Sequence, residues 1–144
     1  MKVRIEHIEE GENEVVIRCD KINDEILEVM ASLHMDKRKI SGRKDGVIHL
    51  LAPSQIYYCE SVDNTVFAYT NDDIFKISEN LNELEMAFYD CGFFRCSKSM
   101  VINLNAITSL KSEMGNRIDT TLKNGEHIVI SRHYAKSLRE VLQT

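Results

Sequence analysis

A mainly β fold with short helices is predicted for this chain, preceded by a small strand–helix element at the N-terminus. Three observations predict it. From residue 46 onward, short runs of β-branched and aromatic residues follow one another, separated by Asp, Asn and Gly turn signals. Apolar residues recur at helical spacing in three short stretches. Many strands joined by tight turns favour an open or multi-sheet β architecture over a doubly wound α/β sheet.

The elements follow in order. Val3 and Ile5 alternate with charged residues, Gly11-Glu12-Asn13 is a turn signal, and Val15 and Ile17 with Arg18 resume an alternating strand. Ile22, Ile26, Met30 and Leu33 then fall on one helical stripe, with Asp20 or Asn23 as the N-cap. A charged connector, Lys37-Arg38-Lys39-Ile40-Ser41-Gly42, sets the expected division into residues 1–42 and 43–144.

Beyond it, strands are expected at 47–51, 56–61, 66–69 and 74–77, with turns at Asp63-Asn64 and Asn71-Asp72-Asp73. Ser78 is the expected cap of a helix carrying Leu81, Leu84 and Phe88. Strands resume at 93–96, 100–102, 107–110 and 118–122. Asn124-Gly125 is the strongest hairpin signal in the chain, because both positions tolerate positive φ. Its return strand is 127–130, and Ser131 caps a last helix with Tyr134, Leu138 and Val141 inward and Lys136 and Arg139 outward.

Composition narrows the function. The 144 residues are 43% hydrophobic and 28% charged, ordinary for a soluble domain. No apolar run approaches the ~20 residues that span a bilayer. The opening Met1-Lys2-Val3-Arg4-Ile5-Glu6 has no apolar signal core, so the expected location is the cytoplasm. Cys19, Cys59, Cys91 and Cys96 show no CxxC spacing and no zinc-like arrangement with His. Free, partly buried thiols are the plain reading, with Cys91 or Cys96 as the alternative site of a redox switch. No metal or cofactor is expected. His7, His34, His49, His127 and His133 are scattered, and no GxSxG, Walker or HExxH motif occurs, so catalysis is not expected. Net charge is -5, but unevenly spread: -3 over residues 1–40, -6 over 41–94 and +4 over 95–144. A basic third on an acidic body suits phosphate binding at one place.

The residues then carry a family resemblance. The run Phe93-Phe94-Arg95-Cys96-Ser97-Lys98-Ser99-Met100-Val101-Ile102-Asn103 resembles the central motif of the LytTR DNA-binding domain. Leu122-Lys123-Asn124-Gly125-Glu126-His127-Ile128-Val129-Ile130-Ser131-Arg132-His133-Tyr134 resembles its closing hairpin and helix, and Ile56-Tyr57-Tyr58-Cys59-Glu60-Ser61 its opening strand. The resemblance spans residues 45–144. It implies a LytTR-type multi-sheet β-domain that binds double-stranded DNA without a recognition helix, its loops entering successive major grooves. It also implies a transcriptional regulator. Such domains often serve as outputs of response regulators, whereas about 40 residues of strand and helix precede the motif here. The chain therefore looks like a standalone LytTR regulator of Gram-positive bacteria, often encoded beside a small membrane protein.

The resemblance assigns DNA-facing positions. Asn64 suits an adenine edge or a phosphate, or serves the turn alone. Lys98 suits guanine acceptors or phosphate, with Ser97 and Ser99 as phosphate donors. Arg132, His133 and Lys136 open the last helix; the family commonly places Arg where His133 stands, and Arg132 either contacts backbone or forms an internal salt bridge. Arg95 either binds phosphate or closes a loop, and Asn103 is expected to be structural. Repeated half-sites imply a homodimer, for which Ile22, Ile26, Met30 and Leu33 are the expected interface; these residues alternatively pack on their own β-domain. The competing reading is a protein-interaction module of the same fold with weak or lost DNA binding.

Overall fold

A computed structural model describes residues 1–33 and 38–142. The chain divides into two compact units, residues 1–35 and 36–144. In the first unit, helix α1 (Asp24–Leu33) starts at Asn23, whose Oδ1 accepts the Ile26 N–H at 3.0 Å. That bond satisfies one orphan donor of the first turn, and it selects Asn23 over Asp20 as the cap.

Two expectations for this unit are corrected. No strand forms around Val3–Ile5 or Val15–Ile17, and Val3, Ile5 and Val15 are exposed. Two short alternating stretches without a third strand bury too little to hold a ladder. The stripe also shortens: Ile22 precedes the helix and is exposed, Met30 and Leu33 are exposed, and Ile26 alone of the four is buried. His34 and Lys37, the latter the start of the expected connector, lie outside the described residues.

The second unit is built on β1 (Ile40–Lys44), β2 (Val47–Leu51), β3 (Tyr58–Val62), β4 (Thr65–Tyr69) and β5 (Ile74–Ile77). Helix α2 (Leu81–Ala87) follows, then β6 (Phe93–Ser97), β7 (Met100–Asn103), β8 (Ile107–Glu113), β9 (Arg117–Leu122), β10 (His127–Ile130) and α3 (Arg132–Leu142). A seven-stranded antiparallel sheet has the order β2-β1-β5-β4-β3-β7-β6, and a three-stranded one has the order β10-β9-β8. Strand β1 is a correction: the expected connector is a strand that crosses the expected boundary at residue 42. Ile40 and Gly42 face inward and Ser41 and Arg43 outward, so only one large apolar side chain marks it.

Two cores result. Sheet residues Ile40, Cys59, Ala68, Phe75 and Val101 pack with Leu81, Leu84 and Phe88 of α2 and its end. Phe94, Cys96 and Ile102, on the other face, pack with Ile118, Leu122 and Ile130 of the second sheet and Ala135 and Leu138 of α3. Helix α3 therefore buries Ala135 and Leu138 and leaves Val141 exposed, shifting the expected inward face. Helix α2 is capped by Asn80 instead of Ser78: Asn80 Oδ1 accepts the Glu83 N–H at 2.8 Å, and its amide donates to Glu83 Oε1 at 2.7 Å. In the β9–β10 turn Gly125 takes positive φ (88°) while Asn124 does not. The Gly125 N–H reaches the Leu122 carbonyl at 2.9 Å and Asn124 Oδ1 accepts the Glu126 N–H at 3.0 Å. The hairpin is a three-residue loop with a left-handed glycine, instead of a two-residue one.

Cys59 and Cys96 are buried, and desolvation pushes both thiols up to about 12. A thiol so held is not a reactive nucleophile, so Cys96 does not suit a redox switch.

Candidate nucleic-acid interface

The strand register decides which turns meet. In the β3–β4 hairpin Asp63 and Asn64 both take positive φ (50° and 61°). That is the type I′ geometry whose twist matches the flanking strands. Asn64 therefore fills the backbone role, and its side chain is free to face outward from an exposed tip.

Strand β3 pairs with β7 through Tyr58↔Ile102, Cys59↔Val101 and Glu60↔Met100. One step further, the Ser61 N–H donates to the Ser99 carbonyl at 2.8 Å. The β3–β4 tip and the β6–β7 tip thus stand side by side at one end of the sheet. The third element joins by another bond: the Ser131 N–H donates to the Cys96 carbonyl at 3.1 Å. This ties the β10–α3 junction to the residue just before Ser97. Asn64, Ser97, Lys98, Ser99, Arg132 and His133 are brought to the same end of the domain, with Lys136 one helical turn along α3.

Arg95 shapes the middle tip. The β6–β7 register shifts between Arg95 and Ser97, a bulge that turns the strand end. Arg95 Nε donates to the Ser97 carbonyl at 2.8 Å and one terminal nitrogen to the Lys98 carbonyl at 2.5 Å. Its other terminal nitrogen reaches Asn82 Oδ1 at 3.0 Å and Glu85 Oε2 at 3.5 Å, both on α2. The side chain is only 15% exposed. Its fork is spent on the loop and the helix behind it, so Arg95 positions Lys98. Ser97 Oγ also accepts the Ser99 N–H at 3.3 Å, tightening the turn.

The remaining cations face water. Lys98, Arg132, His133 and Lys136 are exposed. Arg132 has no ion pair among the described residues, so its internal salt bridge does not form. Ser131 occupies the cap position of α3 through its carbonyl, which accepts from Tyr134 and Ala135 at 3.0 and 2.9 Å. The His133 ring stands edge-on to Tyr134, centroids 4.8 Å apart. At the opposite end Lys44 is paired with Asp73, whose hydrogen bond raises its pKa. Asp63 is an exposed acid in the β3–β4 tip itself, and no group of acids and histidines among the described residues suits a metal.

Asn103 locks the base of the assembly. It is 2% exposed, donates to the Ile56 carbonyl at 2.9 Å and the Pro53 carbonyl at 3.4 Å, and accepts the Asn105 N–H at 3.0 Å. Gly92, at φ 90°, lies against this knot: an added Cβ there would sit 2.9 Å from Asn105 Nδ2. Sequence reading missed the parts played by Asn82 and Glu85. Their only signal is a spacing of three on one helical face, which says nothing of Arg95.

Exposed cations and polar turns gathered at one end of a β scaffold define a nucleic-acid-binding domain, one without a helix-turn-helix among its described residues. Residues 46–143 match the model of the LytTr DNA-binding domain. The chain belongs to the LytTR DNA-binding domain family. That is a family of DNA-binding domains, so the chain is not assigned to an enzyme class.

A solved structure, the LytTr DNA-binding domain of a protein described as a methyl-accepting/DNA response regulator from Bacillus cereus, superposes with a TM-score of 0.71 at 21% identity. The match covers 76% of this chain and 100% of that one, and it supports the β fold. An uncharacterized HTH-type transcriptional regulator of Staphylococcus aureus is 30% identical over 135 residues, 92% of this chain and 91% of that protein. The sensory transduction protein LytT of Bacillus subtilis is 26% identical over 134 residues, 93% of this chain. This chain spans 56% of the length of that relative. No described helix is long and apolar enough to cross a membrane.

Proposed function

We propose that the protein is a sequence-specific regulator of transcription, acting in the cytoplasm, that enters successive major grooves of double-stranded DNA with its three neighbouring loops. The observation that carries this reading is the pairing that seats the Asn64, Lys98 and Arg132–His133 loops at one end of the sheet. Lys98 is offered to guanine acceptors, Asn64 to an adenine edge, and His133 to a base edge or, when protonated, a phosphate. Ser97, Ser99, Arg132 and Lys136 serve the backbone. Arg95 acts through Lys98, not by contact. The N-terminal unit supplies dimerisation or signal input, and a membrane protein is the partner that the family resemblance offers as the source of that signal.

Fluorescence anisotropy with the DNA upstream of the protein's own gene, across a salt series, tests this. Tight binding at low salt, preference over scrambled DNA, and a loss of roughly ten- to hundredfold in the Lys98→Ala variant are expected. Two chains per site at saturation are expected for a dimer. Equal binding to both DNAs with no effect of Lys98→Ala would sink the reading in favour of a protein-interaction module of the same fold. The overall charge of -5 fits that module.

A further inference from the structure

A fourth turn reaches the same end of the domain. The β9–β10 register ends at Ile118↔Ile130. Arg117, the next residue, therefore stands opposite Ser131, at the start of α3. Across the other strand its partner is Glu113, so the turn Met114–Asn116 closes β8 onto β9 at this point. Helix α3 lies beside that turn. Since the Ser131 N–H is bonded to the Cys96 carbonyl at 3.1 Å, the β8–β9 turn and the Lys98 loop flank the same junction.

The turn carries its own chemistry. Met114, Gly115, Asn116 and Arg117 are all exposed. Gly115 and Asn116 hold positive φ (75° and 61°), which folds the tip tightly. No ion pair engages Arg117 or Glu113 among the described residues. The Arg117 side chain folds along the turn, its Nε 3.9 Å from the position a Cβ on Gly115 would take. A guanidinium held on the flank of a tip suits a backbone phosphate better than the floor of a groove.

We infer that the β8–β9 turn is a fourth DNA-contacting element, with Arg117 pairing and Asn116 hydrogen-bonding to phosphodiester oxygens that flank the bases met by the other three loops. The inference rests on the DNA-binding reading above and adds to it a contact that is blind to sequence. Glu113 opposes it by repulsion, so binding is strongest when that carboxylate turns from the phosphate.

The test compares the parent chain with Arg117→Ala, Glu113→Gln and Lys111→Ala, each titrated with the upstream duplex and a scrambled one over a salt series. Lys111 is exposed on β8, the strand paired with that of Arg117, but registers with Asp119, away from the tip, so it controls for net charge. Arg117→Ala is expected to weaken both duplexes alike, roughly three- to tenfold, and to lower the salt slope by about 0.9. Lys111→Ala should leave the slope unchanged, and Glu113→Gln should tighten both. Unchanged affinity and slope in Arg117→Ala, with the parent binding normally, would overturn this inference alone. A lower melting temperature without a change of slope would overturn it too, because Arg117 would then serve only the hairpin. No DNA binding by the parent would overturn both readings.

Discussion

Replacing Arg95 by alanine is expected to weaken binding to specific DNA by about ten- to hundredfold while leaving the salt slope within error of the parent. The variant loses donations to the Ser97 and Lys98 carbonyls at 2.8 and 2.5 Å and the link to Asn82 at 3.0 Å. Hydrogen bonds from a charged donor contribute about 1.5–3 kcal/mol in partly buried settings, and here they fix one turn. Without them the Lys98 loop must be ordered at the moment of binding, a cost that falls on the specific complex. A direct phosphate contact would behave differently: Arg95→Ala would then lower affinity for any DNA equally and reduce the slope by about 0.9. Arg95→Lys should not rescue, because one ammonium cannot reach two loop carbonyls and two α2 side chains from one planar fork. Anisotropy with specific and scrambled duplexes, beside a thermal melt, separates these outcomes.

Asn103→Ala is expected to be the most destabilising single change considered, about 3 kcal/mol, or a fall in melting temperature of about 10–20 °C. The Asn103 side chain, 2% exposed, donates to the Ile56 and Pro53 carbonyls at 2.9 and 3.4 Å, and its oxygen accepts the Asn105 N–H at 3.0 Å. Alanine leaves the carbonyl of the fully buried Ile56 without its side-chain donor and frees the Asn105 N–H, while the Pro53 carbonyl keeps the Ile56 N–H at 3.1 Å. Asn103→Asp should be no better, since a carboxylate facing two carbonyls adds repulsion to the lost donors. Urea denaturation measures it; a loss below about 1 kcal/mol would mean that the knot relaxes and finds other partners.

The strands between residues 47 and 77 and the hairpin around Gly125 were legible because their side chains alternate and their turns use Asp, Asn and Gly. Strand β1 was not, because Ser41, Gly42, Arg43 and Lys44 carry no β-former; its existence depends on β2 and β5 lying on either side. The first twenty residues show the converse. Val3 and Ile5 alternate correctly, yet local pattern cannot create a ladder without a neighbour. Within the candidate site, the motifs mark which loops matter but not that they meet. That depends on the β3–β7 register and on the Ser131 bond to Cys96, both set by residues 35 or more apart in the chain. Arg95 had two open roles for the same reason: Asn82 and Glu85 decide between them from a helix whose packing no short-range pattern reveals.

In the proposed DNA complex, three loops at one end of this sheet engage major grooves on one face of a duplex. Methylation protection at guanine N7, with the protein bound to its upstream DNA, tests that most directly. The expected result is two clusters of protected guanines about 10 base pairs apart on one face, with the cluster under Lys98 lost in the Lys98→Ala variant. Protection confined to a single groove, or none while binding persists, would contradict it.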